Sequence, residues 1–589
     1  MTGPAPRPRF GAVPIGPDRT RFGLWAPALS QASVEIEGQA PVPMQALEEG
    51  WFEAEAACGP GARYRFRVGP DLLVPDPASR AQAGDVDGPS LVVDPESYAW
   101  RTEGWKGRPW EETVVCEVHA GLMGGFAGVA ERLPALAELG VTAIELMPIA
   151  DFAGARNWGY DGVLPYAPDA AYGSPDDLKA LVDRAHELGL MIFLDVVYNH
   201  FGPAGNYLHA YAPQMFDESR HTPWGGAIDF ARPEVRRFFT ENALMWMMDY
   251  RFDGLRLDAV HAISRQDWLP EMAEAVHKAA GPDRHVHLML ENEANTASLL
   301  GGPPKFDAQW NDDFHNVLHV LLTGESGAYY RDFADDPAAR LARCLGEGFI
   351  YQGEPSPNHD GAPRGEPSAH LGPTNFISFL QNHDQIGNRA MGERLTVLAD
   401  PAALRAATAL LLLCPQIPLI FMGDEIGAMT PFLFFTDFDG GLADAVREGR
   451  RKEFAKFPAF SDPAKRARIP DPNAVATFEA SKVSENVESD AWRALYCDLL
   501  RLRREHVVGG LKGARTLGAE VVGDKAVKAR WRLGDGRTLM LALNLGGADV
   551  QLDAPDEPPL YLIGLDAGVA ATTLSPASFV AWLSEAEHG

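Results

Sequence analysis

The segment RFDGLRLDAVHAI, residues 251–263, places an arginine and an aspartate two positions apart in what otherwise reads as a buried strand. Successive side chains of a strand point to opposite faces, so Arg256 and Asp258 share one face while Leu255 and Leu257 share the other. That division suits a strand of a barrel, with leucines against an outer layer of helices and the charged pair in the mouth. An arginine beside an aspartate lowers the carboxyl pKa and fixes its rotamer, as a carboxylate nucleophile requires. The plainer alternative is a buried ion pair that only ties strands together.

Seven further apolar stretches surround this one: TVVCEVHAG (113–121), VTAIELMPI (141–149), LMIFLDVVYNH (190–200), HLMLENE (287–293), FDAQWNDD (306–313), NFISFLQNHD (375–384) and IPLIFMGDE (417–425). Amphipathic helical patterns separate most of them, for example residues 174–190, where Ser174 is placed to cap the helix, and residues 232–250. Eight strand–helix units predict an α/β fold, a (β/α)8 TIM barrel with insertions, whose chemistry gathers at the C-terminal strand ends. The polar residues do fall there, in EVH (117–119), DVVYNH, RLDAVH, ENE, NDDFH, NHD and GDE. A doubly wound open sheet is the competing architecture, but no G-x-G-x-x-G follows any early strand.

Residues 1–98 lack long helical patterns and carry short apolar runs such as RFGLWAP, ASVEIEG and ARYRFRVG, which predict a small β-sandwich. PDPASRAQAGDVDGPSLVVDP (75–95) is rich in Pro, Gly and Asp and predicts a linker over a domain surface. The barrel is expected over 99–507, with a long excursion at 426–489 before its last helix at 490–506. Alternating segments in 508–589, among them AVKARWRL, TLMLALNLG, PLYLIG and SFVAWLSE, predict a C-terminal antiparallel β-domain.

Composition bounds the partners. The 52 Lys and Arg against 81 Asp and Glu give a formal charge of -29, which disfavours nucleic acid and anionic membranes. Five scattered cysteines without a C-x-x-C pair suggest neither disulfides nor zinc. The N-terminal MTGPAPRPRFGAVPIG has no apolar signal core, and the most apolar run (409–423) is broken by Pro415 and Pro418, so a cytoplasmic location is expected.

Glycoside hydrolysis with retention needs a carboxylate nucleophile facing a second carboxyl held protonated. Glu291, at the end of the apolar strand HLML, is the first candidate acid because apolar surroundings raise a carboxyl pKa; Glu293 shares its face and stays open. Asp384 ends the seventh strand and could bond sugar hydroxyls, with His200 and His383 donating to the same sugar.

DVVYNH, GLRLDAVH, the Glu291 segment and FLQNHD (379–384) resemble, in order and on the expected strands, the four short regions of the α-amylase superfamily, glycoside hydrolase family 13. The resemblance implies Asp258 as nucleophile, Glu291 as general acid/base and Asp384 as transition-state stabiliser. It implies Arg256, His200 and His383 as sugar ligands and Tyr160, in NWGYDG, as the ring stacked beneath that sugar. Residues matching RLDAVH, DDFHN and HDQIGN line the cleft in the family, which adds Leu257, Ala259, Val260, His261, Asp312, Asp313, Phe314, His315, Asn316, Gln385, Ile386, Gly387 and Asn388 as binding candidates. Asn199 resembles a calcium ligand of α-amylases, but without a companion ligand set no metal is expected, and no cofactor.

Four stretches outside the common core, VPDPASRAQAGDVDGPSLVVDP (74–95), DAQWNDDFHN (307–316), TPFLFFTDF (430–438) and AVREGRRKEF (445–454), resemble one branch of that family. That branch cuts the α-1,4 bond next to the terminal trehalose of maltooligosyl trehalose, in tandem with a synthase that makes this oligosaccharide. No stable complex with the synthase is implied. Trehalose is ringed by hydroxyls, so its recognition calls for fixed donors and acceptors. Trp224 is expected as a cleft wall, and Phe432, Phe434, Phe435 and Phe438 mostly as a loop-anchoring cluster. The alternatives are an α-1,4-glucan branching enzyme and a catalytically silent glucan-binding protein.

Overall fold

The computed structural model describes residues 8–222, 225–565 and 572–586, so Trp224 lies outside the described residues. Its centre is a closed barrel of eight parallel strands: β1 Val115–Val118, β2 Ala143–Leu146, β3 Met191–Val196, β4 Gly254–Leu257, β5 His287–Leu290, β6 Ala308–Trp310, β7 Phe376–Ser378 and β8 Ile417–Phe421. Each strand lies within one of the eight apolar stretches. All are buried on both faces, which is why they read as near-continuous apolar runs.

The helices that position the site are α1 Pro175–Glu187, α2 Pro233–Met248, α3 Asp312–Thr323, the short α4 His383–Gly387 and α5 Ser489–Leu502. Ser174 caps α1 in a reciprocal capping box with Asp177. Leu255 and Leu257 pack in the outer core between strands and helices. A separate inner cluster of Val115, Ala143, Met191, Phe193, Met289, Ala308 and Leu419 plugs the barrel floor. Ionisable side chains stand above that plug, with Glu117 paired in register to Glu145 and Asp195 to Arg256.

Before the barrel lie two antiparallel sheets. One contains Gly11–Gly16, Arg19–Trp25 and Trp51–Ala56; the other contains Ser33–Ile36 and Arg63–Arg67. After it comes a five-stranded sheet of Arg515–Gly523, Ala526–Arg532, Thr538–Asn544, Ser578–Ser584 and Tyr561–Ile563. Its first strand escaped the sequence reading because it is an edge strand with little apolar alternation. Among the described residues no helix is long and apolar enough to cross a membrane.

Residues 75–95 correct one expectation. This stretch is wedged between the sheets and the barrel, with Asp76, Ala78, Ser79, Gln82, Val86 and Ser90 buried. Several of its polar groups are paired: Ser79 Oγ donates to Gln82 Oε1 at 2.8 Å within the stretch, and Tyr64 of the neighbouring sheet donates to Asp76 at 2.6 Å. Val86 packs on Val163, Leu164 and Ala167, and the Arg80 guanidinium lies 4.3 Å from the centre of the Tyr166 ring. Small residues and polar groups paired within the stretch or to the neighbouring sheet allow a Pro/Gly/Asp-rich segment to be buried, which composition alone does not reveal.

Candidate active site

Arg256 organises the mouth of the barrel. Its wholly buried guanidinium donates from Nη1 to Asp195 Oδ2 at 2.7 Å and to Asp258 Oδ1 at 2.8 Å, and from Nη2 to Glu291 Oε2 at 3.1 Å. The Trp310 ring covers the guanidinium at 4.1 Å, a cation–π contact that also excludes water. One cation thus holds a carboxyl from each of β3, β4 and β5. Strand pairing runs past the formal strand ends, since the Asp258 amide donates to Val196 O and the Glu291 amide to Leu257 O, each at 3.0 Å.

The two carboxyls are driven apart in acidity. Burial raises the Asp258 pKa, but the charges of Arg256 and His200 and hydrogen bonds from Arg256 and Asn199 outweigh it and hold the carboxyl below its usual range. Asn199 Nδ2 reaches Asp258 Oδ2 at 3.0 Å. At Glu291 burial wins over Arg256, and the charges of Asp258, Asp384 and Asp312 push in the same direction, so its carboxyl stays well above the usual range. The Ala259 amide donates to Glu291 Oε2 at 2.7 Å, and Ala259 adopts φ 41° to aim it. With Oε2 occupied by donors, Oε1 is left to carry a proton. Glu293 is more than half exposed, near His261 and His359.

Asp384 stands in the first turn of α4, half-exposed, with its amide bonded to Asn382 Oδ1 at 2.9 Å and its Oδ1 accepting from Asn388 Nδ2 at 3.0 Å. Tyr160 donates to Asp195 Oδ2 at 2.6 Å and its ring stacks on His383, centroids 5.1 Å apart. His200 sits beside Asn199 and Tyr160. Its Nε2 lies 2.8 Å from Tyr160 O and its Nδ1 meets Asn199 Oδ1, so both ring nitrogens brace neighbours of Asp258.

A cavity of about 800 Å³ opens beside Glu291 and Asp384, lined by His261, Glu293, Asp312, Asn316, Gln385 and Asn388. Leu257, Val260, Asp313, Phe314, His315, Ile386 and Gly387 are buried and are not among the residues lining this cavity. Alternation turns Leu257 outward. On α3, helical spacing brings Asp312 and Asn316 to the cavity and turns the intervening residues inward. Asp313 there binds the Ile350 amide at 2.8 Å and Arg364 at 3.1 Å. On α4 the same spacing exposes Asp384 and Asn388, while Gly387 packs so closely that a Cβ would sit 2.1 Å from Trp158. Ala259 contributes its backbone N–H rather than a wall.

Sequence reasoning missed the other walls, Tyr329, Tyr330, Phe457 and Phe460, with Arg364 and Arg389 between them. They come from short helical turns and their flanks, which carry no motif. Phe432, Phe435 and Phe438 are buried and Phe434 half-buried, with Phe432 stacked on Trp158 at 5.1 Å, so the cluster does anchor its loop. Asn199 is spent on Asp258 and His200, and among the described residues no three His, Cys, Asp or Glu side chains are arranged to hold a metal ion.

Residues 95–224 match the alpha amylase catalytic domain, and 514–581 match a domain of unknown function. A malto-oligosyltrehalose trehalohydrolase of Deinococcus radiodurans is 45% identical over 521 residues, spanning 85% of this chain and 84% of that enzyme. This chain belongs to the malto-oligosyltrehalose trehalohydrolase family. The family lies in the α-amylase superfamily, and its barrel is the one described above. A crystal structure from Salmonella typhimurium, provisionally assigned as an alpha amylase, superposes with TM-score 0.92 at 46% identity, covering 98% of this chain and 100% of that one. A 1,4-alpha-glucan branching enzyme of Bordetella bronchiseptica is more distant, 30% identical over 69% of this chain and 60% of that enzyme. The trehalohydrolase family therefore accounts for more of the chain than the branching enzymes do.

Proposed function

We propose that this protein hydrolyses the α-1,4-glucosidic bond next to the terminal trehalose unit of maltooligosyl trehalose, releasing trehalose and a maltodextrin with retained anomeric configuration. One observation carries the reading: Asp258 and Glu291 share the Arg256 guanidinium and have opposite pKa shifts, and Glu291 opens onto the cavity that Asp384 also lines. Retaining glycosidases hold their carboxyls about 5–5.5 Å apart, whereas inverting ones leave room for a water between. Two carboxyls on one guanidinium belong to the close class.

In this reading Asp258 attacks the anomeric carbon while Glu291 gives its proton to the departing trehalose oxygen. Glu291, now a base, takes a proton from water, whose oxygen then displaces Asp258 from the sugar. Asp384 stabilises the flattened ring, Arg256 and His383 serve the sugar bound by Asp258, and Tyr160 stacks beneath it. His200 acts through Tyr160 and Asn199. On the leaving side His261, Asp312, Asn316, Gln385 and Asn388 supply the donors and acceptors a disaccharide rich in hydroxyls needs.

The same reading includes a cytoplasmic enzyme fed by a synthase of maltooligosyl trehalose. Its three folding units span 1–98, 99–507 and 508–589. Incubation with maltopentaosyl trehalose and, separately, maltoheptaose, followed by anion-exchange chromatography, tests the activity. Rapid release of trehalose with slow attack on maltoheptaose is expected. New α-1,6 linkages on amylose without trehalose would assign the site to a branching enzyme.

A further inference from the structure

We infer that Glu117, on the opposite side of the barrel from the Asp258–Glu291 pair, is a positioning residue that fixes His383 and holds its imidazole as a cation beside Asp384. This rests on the proposed function and deepens it. Glu117 Oε2 accepts the His383 backbone N–H at 3.1 Å, and Oε1 accepts the ring Nδ1–H of the same residue. Both groups are buried in the barrel. Two bonds to one residue leave its ring a single orientation, with Nε2 3.6 Å from Asp384 Oδ1 and one ring face against Tyr160. Because Nδ1–H is committed to Glu117, an imidazole bearing a proton on Nε2 as well is an imidazolium, and it can donate toward Asp384 or a sugar hydroxyl.

The groups around the ring act together. Burial lowers the His383 pKa, but Glu117 and Asp384 raise it to about 9 against the opposing Arg256. His119, beyond β1, is lowered by burial to about 4 and is neutral. Glu145 on β2 is raised well above the usual carboxyl range by burial and is neutral too, while Asp195 on β3 is raised to about 6 and is salt-bridged to Arg256. Glu117 is thus the carboxyl in direct contact with Nδ1 and the first of the groups that raise the His383 pKa. A buried cation here strengthens the field around Asp384 and the sugar without any water to reorganise.

The test follows His383 by NMR in full-length protein carbon-labelled at histidine Cε1, with the signal assigned by its loss in His383→Asn. In the unsubstituted protein the titration midpoint is expected near 9. In Glu117→Gln, which keeps the shape but loses the charge and one of the two acceptor oxygens, it is expected at or below the ordinary value of about 6.5. The alkaline limb of kcat should move down by about two pH units with it, kcat at neutral pH should fall about tenfold or more, and KM should change less. Glu117→Asp, which keeps the charge, should restore the midpoint in large part. A midpoint near the ordinary value in the unsubstituted protein, or an unchanged midpoint and limb in Glu117→Gln, would overturn the inference. If Glu117→Gln does not fold, the unsubstituted protein and Glu117→Asp decide it. The titration uses no substrate, so a failure to release trehalose would refute the proposed function while leaving the role of Glu117 to be decided by the midpoint.

Discussion

The Nη2 atom of Arg256 lies 3.1 Å from Oε2 of Glu291, on the same guanidinium whose Nη1 lies 2.8 Å from Oδ1 of Asp258. A planar fork with two free ends can hold two carboxyls side by side, which a lysine ammonium cannot reproduce. Arg256→Lys should therefore fold but lower kcat about a hundredfold or more, through lost alignment of both groups. Arg256→Met would leave the buried Asp195 and the part-buried Asp258 without their cation, a change that costs about 3–5 kcal/mol and should appear as a large loss of thermal stability by calorimetry.

Glu291→Gln should lower kcat on maltopentaosyl trehalose by about a hundredfold to ten-thousandfold, the usual contribution of a positioned acid. A maltosyl fluoride, whose leaving group departs without a proton, should lose far less of its rate of glycosyl-enzyme formation. Glu293→Gln should change kcat by less than about fivefold on either substrate, because that side chain is exposed and paired to His261 and His359. The reverse ranking would move the acid role to Glu293.

The pH profile of kcat/KM should be broad. Asp258 is held below its usual range, so the acid limb lies in strongly acidic solution; Glu291 is held well above its own, so that carboxyl keeps its proton through neutrality. Asn199→Ala removes a hydrogen bond to the charged form of Asp258, which raises its pKa, so the acid limb should move upward. An acid limb that stays in place would show that Asn199 does not hold the charge.

Discrimination for trehalose should weaken when cavity donors are removed. Gln385→Ala and Asn388→Ala should each lower kcat/KM on maltopentaosyl trehalose about tenfold and leave maltoheptaose nearer its original value, since one lost hydrogen bond is worth about 1 kcal/mol. Parallel losses on both substrates would place these side chains in general binding instead.

Away from the site, Asp151 is buried with Oδ1 unpaired, and burial together with Asp169 and Asp85 holds its pKa well above the ordinary value. The unfolded chain has the ordinary value, so the folded state gains relative stability as pH falls and loses it as pH rises through the raised pKa. Asp151→Asn should therefore raise the unfolding temperature at pH 8 and have a smaller effect at pH 5, as read by scanning calorimetry at both values.

The barrel was legible because a parallel strand buried on both faces has to be a short apolar run, and eight such runs ended in polar residues. Arg256 and Asp258 could be placed on one face by alternation alone, and a buried glutamate after HLML could be expected to keep its proton. Motif blocks were less faithful guides. DDFHN and HDQIGN are contiguous in sequence, yet helical spacing turns Asp313, Phe314, His315, Ile386 and Gly387 away from the cavity that Asp312, Asn316, Asp384 and Asn388 face. The burial of residues 75–95 was hidden because it depends on partners brought from Val163, Leu164 and Tyr166.

By itself, then, the sequence determined the period-two and period-3.6 patterns, the order of strands and the residue types at their ends, all of which depend on neighbours in the chain. The tertiary structure alone decided that Arg256 gathers Asp195, Asp258 and Glu291, that Glu117 meets His383 across 266 positions, and that the segments 325–333 and 454–460 wall the cavity. Those relations arise from closing the barrel, which brings together side chains of strands far apart in sequence. Their distances, and the low dielectric that separates the acidities of Asp258 and Glu291, exist only once water has been excluded from between them.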